Sequence, residues 1–284
     1  MKVLVTGAGG MLGREVVRAA AAAGHEAVGL RHGDLDVADA EAVRRRVSSE
    51  RPGAVVNCAA YTNVDGAEEA RNEAFELNGR APGLVAAAAA EVGASVIHLS
   101  SDYVFNGDKR EPYVESDPPA PLSAYGESKL AGEAPTIEAN PRHFVVRSAW
   151  LFGTGGRNFI DTMLRLGGER DEVRVVDDQV GSPTFCPDLA EALVALLGTE
   201  DHGIHHVAGG GACSWAELAA ETFACAGVGC RVVPITTAEM GRPAPRPAFS
   251  ALASERVGTP RLRLWQEGLE AYLGARSRRD EVPA

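Results

Sequence analysis

Tyr125 and Lys129 stand four residues apart in the stretch Ser-Ala-Tyr-Gly-Glu-Ser-Lys. An α-helix completes one turn in about 3.6 residues, so in a helix the phenol and the ammonium emerge on one face. A phenol titrates near pH 10, and a neighbouring ammonium favours the phenolate. The spacing therefore predicts that Lys129 lowers the pKa of Tyr125, which would make Tyr125 a proton donor or acceptor near neutral pH. Such pairs are also common on surface helices, so the surrounding elements must decide between the two interpretations.

A glycine-rich turn follows the first apolar strand and precedes a helical pattern, in the run Gly7-Ala8-Gly9-Gly10-Met11-Leu12-Gly13. In such a turn Gly7 permits the sharp bend, Gly10 lets the backbone approach a diphosphate, and Gly13 lets the helix pack closely on the strand. The amides of Met11 and Leu12 lie at the positive end of the helix dipole, which attracts phosphate. Strand, glycine turn and helix in this order predict a dinucleotide site.

The second predicted strand, 26–30, is not followed by the acidic residue that a site selective for NAD carries. Arg31 stands there instead and would receive a 2′-phosphate, which favours NADPH over NADH. A solvated loop arginine is the alternative interpretation. Asp36 is a candidate contact for the adenine amine, whereas Asp39 fits better as the cap of the next helix.

The carboxyl ends of the next two strands carry further candidate residues, because ligands of open α/β sheets bind at these ends. Ala59 and Ala60 are small enough to leave room for a cofactor ribose and diphosphate, and Tyr61 follows them. Asn78 is a polar residue in an apolar helical pattern, and it either faces the cofactor or is a surface amide. Ser101 ends the fourth strand, where its hydroxyl would polarise a substrate carbonyl.

Strands and helices alternate through the first half of the chain, which predicts an α/β fold with a doubly wound parallel sheet of the Rossmann type. We assign residues 1–152 to this NAD(P)-binding part, with return elements from about 173–205. A smaller α/β substrate-binding part is expected over 153–284, interleaved with the first. Residues from about 276–284 are charged and are predicted to form a flexible tail.

Composition excludes several classes of function. The 284 residues are 45% hydrophobic and 24% charged, as in soluble globular proteins. A net charge of -11 argues against a nucleic-acid or anionic-membrane surface. No signal peptide and no apolar run of about 18 residues is seen. The five cysteines form no CxxC pair and the histidines no metal pattern, so we expect a cytoplasmic protein and place no metal site.

Several longer motifs occur in order along the chain. They are Thr6-Gly7-x-x-Gly10-x-x-Gly13, Ser100-Ser101-Asp102-Tyr103-Val104-Phe105, Tyr125-Gly126-Glu127-Ser128-Lys129-Leu130-Ala131-Gly132-Glu133, Arg147-Ser148-Ala149-Trp150, Asp178-Gln179-x-Gly181-x-Pro183-Thr184 and Arg246-Pro247. Together they resemble the extended short-chain dehydrogenase/reductase family and, within it, the dTDP-4-dehydrorhamnose reductases.

The resemblance implies a reduction in which hydride passes from a nicotinamide to C4 of a sugar-nucleotide ketone. Tyr125 would give its proton to the forming alkoxide. Lys129 would lower the pKa of Tyr125 and hold the nicotinamide ribose. Ser101 takes the place of the family's hydroxyl residue, often a threonine, and would orient the carbonyl.

The same resemblance implies a set of substrate contacts. Asp102 and Tyr103 would lie beside the sugar, and Trp150 would form an apolar wall against it, unless it simply belongs to the core. Asn158 and Arg246 fall where relatives contact the nucleotide and its diphosphate, although Arg242 is an alternative to Arg246.

The expected activity is NAD(P)H-dependent reduction of the C4 ketone of a dTDP-4-keto-6-deoxyhexose, with dTDP-4-dehydro-L-rhamnose favoured as substrate and dTDP-L-rhamnose as product. Two alternatives stay open: another dTDP-4-keto sugar of secondary metabolism, such as a streptose-type compound, and a non-catalytic regulatory subunit of the same fold. Some relatives dimerise around Mg²⁺, but the sequence does not let us place such an ion. Monomer and homodimer are equally compatible with it.

Overall fold

The computed structural model describes the backbone of residues 1–280 and the side chains of residues 1–276. The strands are β1 Lys2–Thr6, β2 Glu26–Leu30, β3 Ala54–Asn57, β4 Ser95–Ser101, β5 His143–Ser148, β6 Leu151–Phe152, β7 Glu172–Val176, β8 Val180–Gly181, β9 Thr184–Phe185, β10 Gly203–His206, β11 Cys213–Ser214 and β12 Arg231–Ile235. The α-helices are α1 Met11–Ala22, α2 Ala40–Glu50, α3 Gly66–Glu69, α4 Arg71–Phe75, α5 Ala81–Glu91, α6 Ala124–Ala139, α7 Phe159–Glu169, α8 Cys186–Leu196, α9 Trp215–Ala226, α10 Thr237–Met240 and α11 Trp265–Asp280. A π-helical turn spans Glu76–Arg80, and a 3-10 turn spans Asp102–Val104.

The central sheet has the strand order β10-β5-β4-β3-β1-β2, and its paired strands are parallel. β1 lies between β2 and β3, so the chain reverses its direction of travel across the sheet at β1. In such sheets ligands bind outside the carboxyl ends of the strands at this reversal. The predicted Rossmann-type α/β fold is confirmed.

Helices cover both faces of this sheet, which explains why its strands are apolar on both sides. Side chains alternate along a strand, so Val3 and Val5 face one layer while Leu4 faces the other. Helices α1 and α8 form the first layer, where Val16 and Leu193 are fully buried. Helices α2, α5 and α6 form the second layer. These layers fix the strand ends on which the site is built.

The chain returns to the central sheet later than the sequence predicts. Residues 173–176 belong to β7, which pairs in parallel with β12 outside the sheet. Val173 and Val175 pack against Phe223 of α9, which draws β7 into the smaller part. The return elements are α8, which packs on α1, and β10, which extends the sheet beside β5.

Helix α11 extends into the segment predicted to be a flexible tail and reaches Asp280. Its apolar side chains Leu269 and Tyr272 are buried beside Ile160, and Arg276 forms an ion pair with Asp161 at 3.5 Å. Helical backbone therefore replaces the predicted tail up to residue 280, and the remaining residues of that tail, 281–284, lie outside the described part.

Candidate active site

The glycine turn between β1 and α1, residues 7–13, forms a cradle, an open space that side chains on its glycines would fill. Gly7 has a φ of +65°, and a Cβ on it would lie 2.6 Å from the backbone nitrogen of Ala59. α1 begins at Met11 with Gly10 as its N-cap, and no side chain caps it. The amides of Met11 and Leu12 have no partner within the helix. An anionic diphosphate fits this set of donors and this space.

Two of the predicted cofactor contacts, Arg31 and Asp36, follow β2. Arg31 is exposed, and its Cγ would be 3.8 Å from a Cβ on Gly9, so the side chain passes over the glycine turn. Within residues 1–276 no carboxylate forms an ion pair with it. Asp36 is exposed, and one of its carboxylate oxygens accepts a hydrogen bond from the amide of Ala38 at 2.9 Å. Asp39 caps α2, as the sequence predicts.

Ala59 and Ala60 follow β3 and are half-buried next to the glycine turn, as a site for a ribose and diphosphate requires. Asn78 differs from its prediction. It lies in the π-helical turn and is fully buried. Its side chain exchanges two hydrogen bonds with the backbone of Tyr61, at 2.9 and 3.0 Å, and donates another to Ser128 at 3.0 Å. Asn78 therefore connects the segment after β3 to α6.

Helix α6 carries Tyr125 and Lys129 and has two caps at its first turn. The hydroxyl of Ser123 accepts from the amide of Gly126 at 3.2 Å. The carboxylate of Glu68, from α3, accepts from the amide of Ala124 at 2.9 Å. The position of Tyr125 is thus set partly by the segment that follows β3.

Lys129 is buried, and its ammonium donates to the carbonyl of Leu99 at 2.5 Å. Burial lowers the pKa of Lys129 to about 8, although the carboxylate of Glu133 opposes the shift. Burial and the nearby carboxylate of Asp102 raise the pKa of Tyr125 to about 12, against the effect of a hydrogen bond with Ser101. The predicted lowering of the pKa of Tyr125 by Lys129 is therefore wrong for this structure. Tyr125 therefore keeps its proton at neutral pH.

Ser101 and Asp102 are buried at the end of β4, next to Tyr125. The hydroxyl of Ser101 donates to Asp102 Oδ1 at 3.0 Å and accepts from the amide of Tyr103 at 3.2 Å. Asp102 Oδ2 accepts from the hydroxyl of Ser250 at 2.6 Å. Burial raises the pKa of Asp102 to about 7, against these hydrogen bonds.

Tyr103 and Arg246 continue the site towards the smaller part. The rings of Tyr103 and Tyr125 meet edge to face with centroids 5.9 Å apart. Burial raises the pKa of Tyr103, and the guanidinium of Arg246 opposes this shift. Asp65, which follows β3, pairs with Arg246 at 3.0 Å and with Arg242 at 3.2 Å. The side chain of Arg246 is 14% exposed and that of Arg242 58%, so Arg246 is the better-fixed cation.

Trp150 follows β5 with a φ of +47°, a backbone conformation that is rare for a bulky side chain. Its indole stacks on that of Trp215 with centroids 3.5 Å apart and an interplanar angle of 6°. The indole nitrogen of Trp150 is buried and has no hydrogen-bond partner in the part of the chain with described side chains. Nothing in the sequence pattern indicated Trp215 as the partner of Trp150.

Asn158 also differs from its prediction. Its carbonyl oxygen accepts from the amide of Asp161 at 2.9 Å, which caps α7. Its amide nitrogen donates to the carbonyl of Gly153 at 3.0 Å and to the hydroxyl of Tyr272 at 3.1 Å. Asparagine is a preferred N-cap, and here its side chain also connects α7 to Gly153 and Tyr272.

The family described as "RmlD substrate binding domain" matches residues 1–277 of this chain. A dTDP-4-dehydrorhamnose reductase of Streptomyces griseus is 44% identical over 276 residues, which cover 94% of this chain and 91% of the relative. The chain belongs to the dTDP-4-dehydrorhamnose reductase family. It is thus a sugar-nucleotide reductase by family.

Two further proteins resemble this reductase over nearly its whole length. A Streptomyces antibioticus protein named "Probable dTDP-4,6-dihydroxy-2-methyloxan-3-one 4-ketoreductase" is 45% identical over 280 residues, 96% of this chain and 95% of the relative. The crystal structure of a Bacillus anthracis dTDP-4-dehydrorhamnose reductase in complex with NADP superposes with a TM-score of 0.94 at 39% identity, covering 96% of this chain and 99% of that one.

The described part of the reductase brings Tyr125, Ser101, Asp102 and Tyr103 into direct contact, with Lys129 one helical turn from Tyr125. In the same part no group of three or more His, Cys, Asp and Glu side chains is arranged to hold a metal ion. None of the described helices is long and apolar enough to cross a membrane. The sequence missed Ser250 as the partner of Asp102, and no local pattern marks it.

Proposed function

We propose that this reductase uses NADPH or NADH to reduce the C4 ketone of a dTDP-4-keto-6-deoxyhexose, with dTDP-4-dehydro-L-rhamnose as the favoured substrate. The observation that carries the proposal is the state of Tyr125. Burial and the neighbouring Asp102 raise the pKa of its phenol to about 12, against the effect of Ser101. A phenol in this state is protonated at neutral pH, as a reduction that ends in proton transfer to an alkoxide requires.

The cofactor would lie across the carboxyl end of β1, with its diphosphate on the amides of Met11 and Leu12. When bound, the reduced nicotinamide supplies the hydride that adds to C4. Lys129 keeps most of its charge at neutral pH because its pKa is about 8, and it would hold the nicotinamide ribose. The exposed Arg31 beside the glycine turn favours a 2′-phosphate, and the NADP complex of the B. anthracis relative agrees with this preference.

The ketone oxygen would lie against Tyr125 and Ser101. Ser101 orients the carbonyl, and Tyr125 donates its proton to the alkoxide oxygen as the new C–H bond forms. An alkoxide is a stronger base than a phenolate, so this transfer is downhill. Trp150 would form an apolar wall beside the sugar, and Arg246 offers guanidinium donors that suit a diphosphate.

A different dTDP-4-keto sugar is the second candidate substrate. The name of the S. antibioticus relative indicates 4-ketoreduction of another dTDP-linked sugar at an identity as high as that of the S. griseus reductase. A regulatory subunit without activity is a weaker interpretation, because Tyr125, Lys129 and Ser101 are all retained and in place.

A turnover screen tests the proposal. The purified protein is mixed with NADPH and with each of a panel of dTDP-4-keto sugars. Loss of nicotinamide absorbance is followed, and the products are assigned by NMR. We expect turnover with dTDP-4-dehydro-L-rhamnose and a C4 alcohol as product. Tyr125→Phe should reduce kcat by at least about 100-fold and leave NADPH affinity unchanged, because only the proton donor is lost. No oxidation of NADPH with any sugar of the panel would refute the proposal.

A further inference from the structure

The backbone amide of Ala124, directly before Tyr125, is bonded to a residue from outside α6. It donates to Oε1 of Glu68 at 2.9 Å, and the two residues lie 56 positions apart in the chain. The second cap of this helix is local, because the hydroxyl of Ser123 accepts from the amide of Gly126 at 3.2 Å. The first turn of α6 is therefore held by one neighbour in sequence and by one distant carboxylate.

The short helices α3 and α4, the first of which carries Glu68, also pack against the ring of Tyr125. Ala67 in α3 and Ala74 in α4 are fully buried and form one apolar cluster with Ala124. Tyr125 packs against this cluster. Alanine has no side-chain rotamers with which to follow a displaced ring, so the two helices form a rigid wall behind the phenol.

The turn that begins α3 fixes where Glu68 lies. The side chain of Asn63 accepts from the amide of Gly66 at 3.0 Å, and a Cβ on Gly66 would clash with that side chain. Asp65, in the same turn, pairs with Arg246 at 3.0 Å. One turn therefore holds both the start of α6 and the cation that is expected to bind the diphosphate.

We infer that Glu68 is a positioning residue for the reduction, because its hydrogen bond to the amide of Ala124 sets the place of the Tyr125 hydroxyl. The inference rests on the proposed function of Tyr125 as the acid. Proton transfer to the alkoxide needs the two oxygens at hydrogen-bonding distance, so a small shift of the helix start slows this step. Glu68 acts here through an acceptor oxygen, which a carboxamide at this position also offers.

Steady-state kinetics of variants at Glu68 test this role. Glu68→Ala should lower kcat about 10-fold and leave the KM values for the sugar nucleotide and for NADPH within about twofold of wild type. Glu68→Gln keeps the acceptor oxygen and should retain kcat. Glu69→Ala is the matched control, because Glu69 is the adjacent exposed acid on α3, and it should leave kcat unchanged.

The Tyr125→Phe background shows whether Glu68 acts through the phenol. With the acid absent, adding Glu68→Ala should change the residual rate by less than about twofold. A loss of about 10-fold in both backgrounds, equal changes in kcat and both KM values, or a Glu68→Gln variant as slow as Glu68→Ala would each overturn the inference. Tyr125→Phe with the turnover of wild type would instead refute the proposed function.

Fluorine NMR gives a readout that does not depend on turnover. The chain has five tyrosines, and in protein labelled with fluorotyrosine the resonance of Tyr125 is the one missing from Tyr125→Phe. Glu68→Ala should shift this resonance, whereas Glu68→Gln and Glu69→Ala should leave it in place. A resonance unchanged by Glu68→Ala would overturn the inference. A shifted resonance without turnover of any sugar would refute the proposed function and leave Glu68 as the residue that places the phenol.

Discussion

Replacing Glu133 with glutamine should destabilise the reductase far more than a neutral substitution elsewhere on α6. Glu133 Oε1 accepts from Arg147 Nε at 2.9 Å and from the hydroxyl of Ser100 at 2.6 Å, and Oε2 accepts from Arg147 Nη2 at 2.7 Å. The two side chains of this ion pair are 5% and 3% exposed. Glutamine keeps the shape and removes the negative charge, so the guanidinium of Arg147 is left buried without a counter-charge.

Breaking one partner of a buried ion pair costs about 3–5 kcal/mol of unfolding free energy. Stability changes move the Tm of larger domains by roughly 2–4 °C per kcal/mol. Glu133→Gln should therefore lower the Tm by about 6–20 °C. Glu127→Gln is the matched control on the same helix, because Glu127 pairs with Arg71 at the surface. Exposed pairs contribute about 0–1 kcal/mol, so the control should lose at most about 4 °C.

Thermal unfolding followed by circular dichroism measures both variants. The double variant Glu133→Gln with Arg147→Met removes both charges and should recover part of the lost stability. A Tm for Glu133→Gln within the range of the control would show that the pair is not buried as described and would refute the reasoning.

Glu133→Gln should also change the pH dependence of kcat/KM. The carboxylate of Glu133 supports the charge of Lys129, whose pKa is about 8. Without it the pKa of Lys129 falls further, and the ammonium is lost at lower pH. The loss of kcat/KM as pH rises through about 8 should therefore move to lower pH in Glu133→Gln, which a pH–rate profile over pH 6–9 will show.

Three further substitutions probe the rest of the site. Asp65→Asn removes the carboxylate that fixes Arg246 and should raise the KM for the sugar nucleotide about 10- to 100-fold, as for a lost charged hydrogen bond, with the KM for NADPH unchanged. Gly13→Ala places a Cβ against the glycine turn and should weaken NADPH binding at least about tenfold by calorimetry. Gly168→Ala is the control and should leave NADPH binding unchanged, because a Cβ on Gly168 would meet open space. Arg31→Ala should lower the ratio of kcat/KM for NADPH to that for NADH by at least about tenfold.

Each of these three predictions has an outcome that would contradict it. A parallel rise in both KM values for Asp65→Asn would indicate general misfolding instead of loss of an anchor. NADPH affinity unchanged by Gly13→Ala would mean that the helix does not approach the turn as closely as described. A cofactor ratio unchanged by Arg31→Ala would remove the argument for NADPH.

The features that the sequence predicted well are those set by local pattern. The four-residue spacing of Tyr125 and Lys129 fits a helix, and both residues lie on α6, Ala124–Ala139. The spacing showed that the two side chains share a face, but it contains no information on burial. Burial decides the direction of both pKa shifts, and the ammonium of Lys129 lies on the carbonyl of Leu99.

The features that the sequence did not predict are contacts between distant segments. Ser250 meets Asp102 across 148 positions of the chain, and Arg246 meets Asp65 across 181. Neither pair has a periodicity or a motif that links its members. Asn158 is ambiguous in sequence for the opposite reason, because the same residue type suits both a helix cap and a nucleotide contact.

These long-range contacts also govern when the reductase becomes active during folding. Loop closure over many residues makes non-local pairing slow, and the contacts of Ser250 and Arg246 form only after the second half of the chain has docked. A refolding molecule must therefore dock α8 on α1 and bring Ser250 and Arg246 to Asp102 and Asp65 before the site is complete. Recovery of turnover should thus lag behind recovery of the helical signal, so enzymatic activity reports a late stage of folding in this molecule.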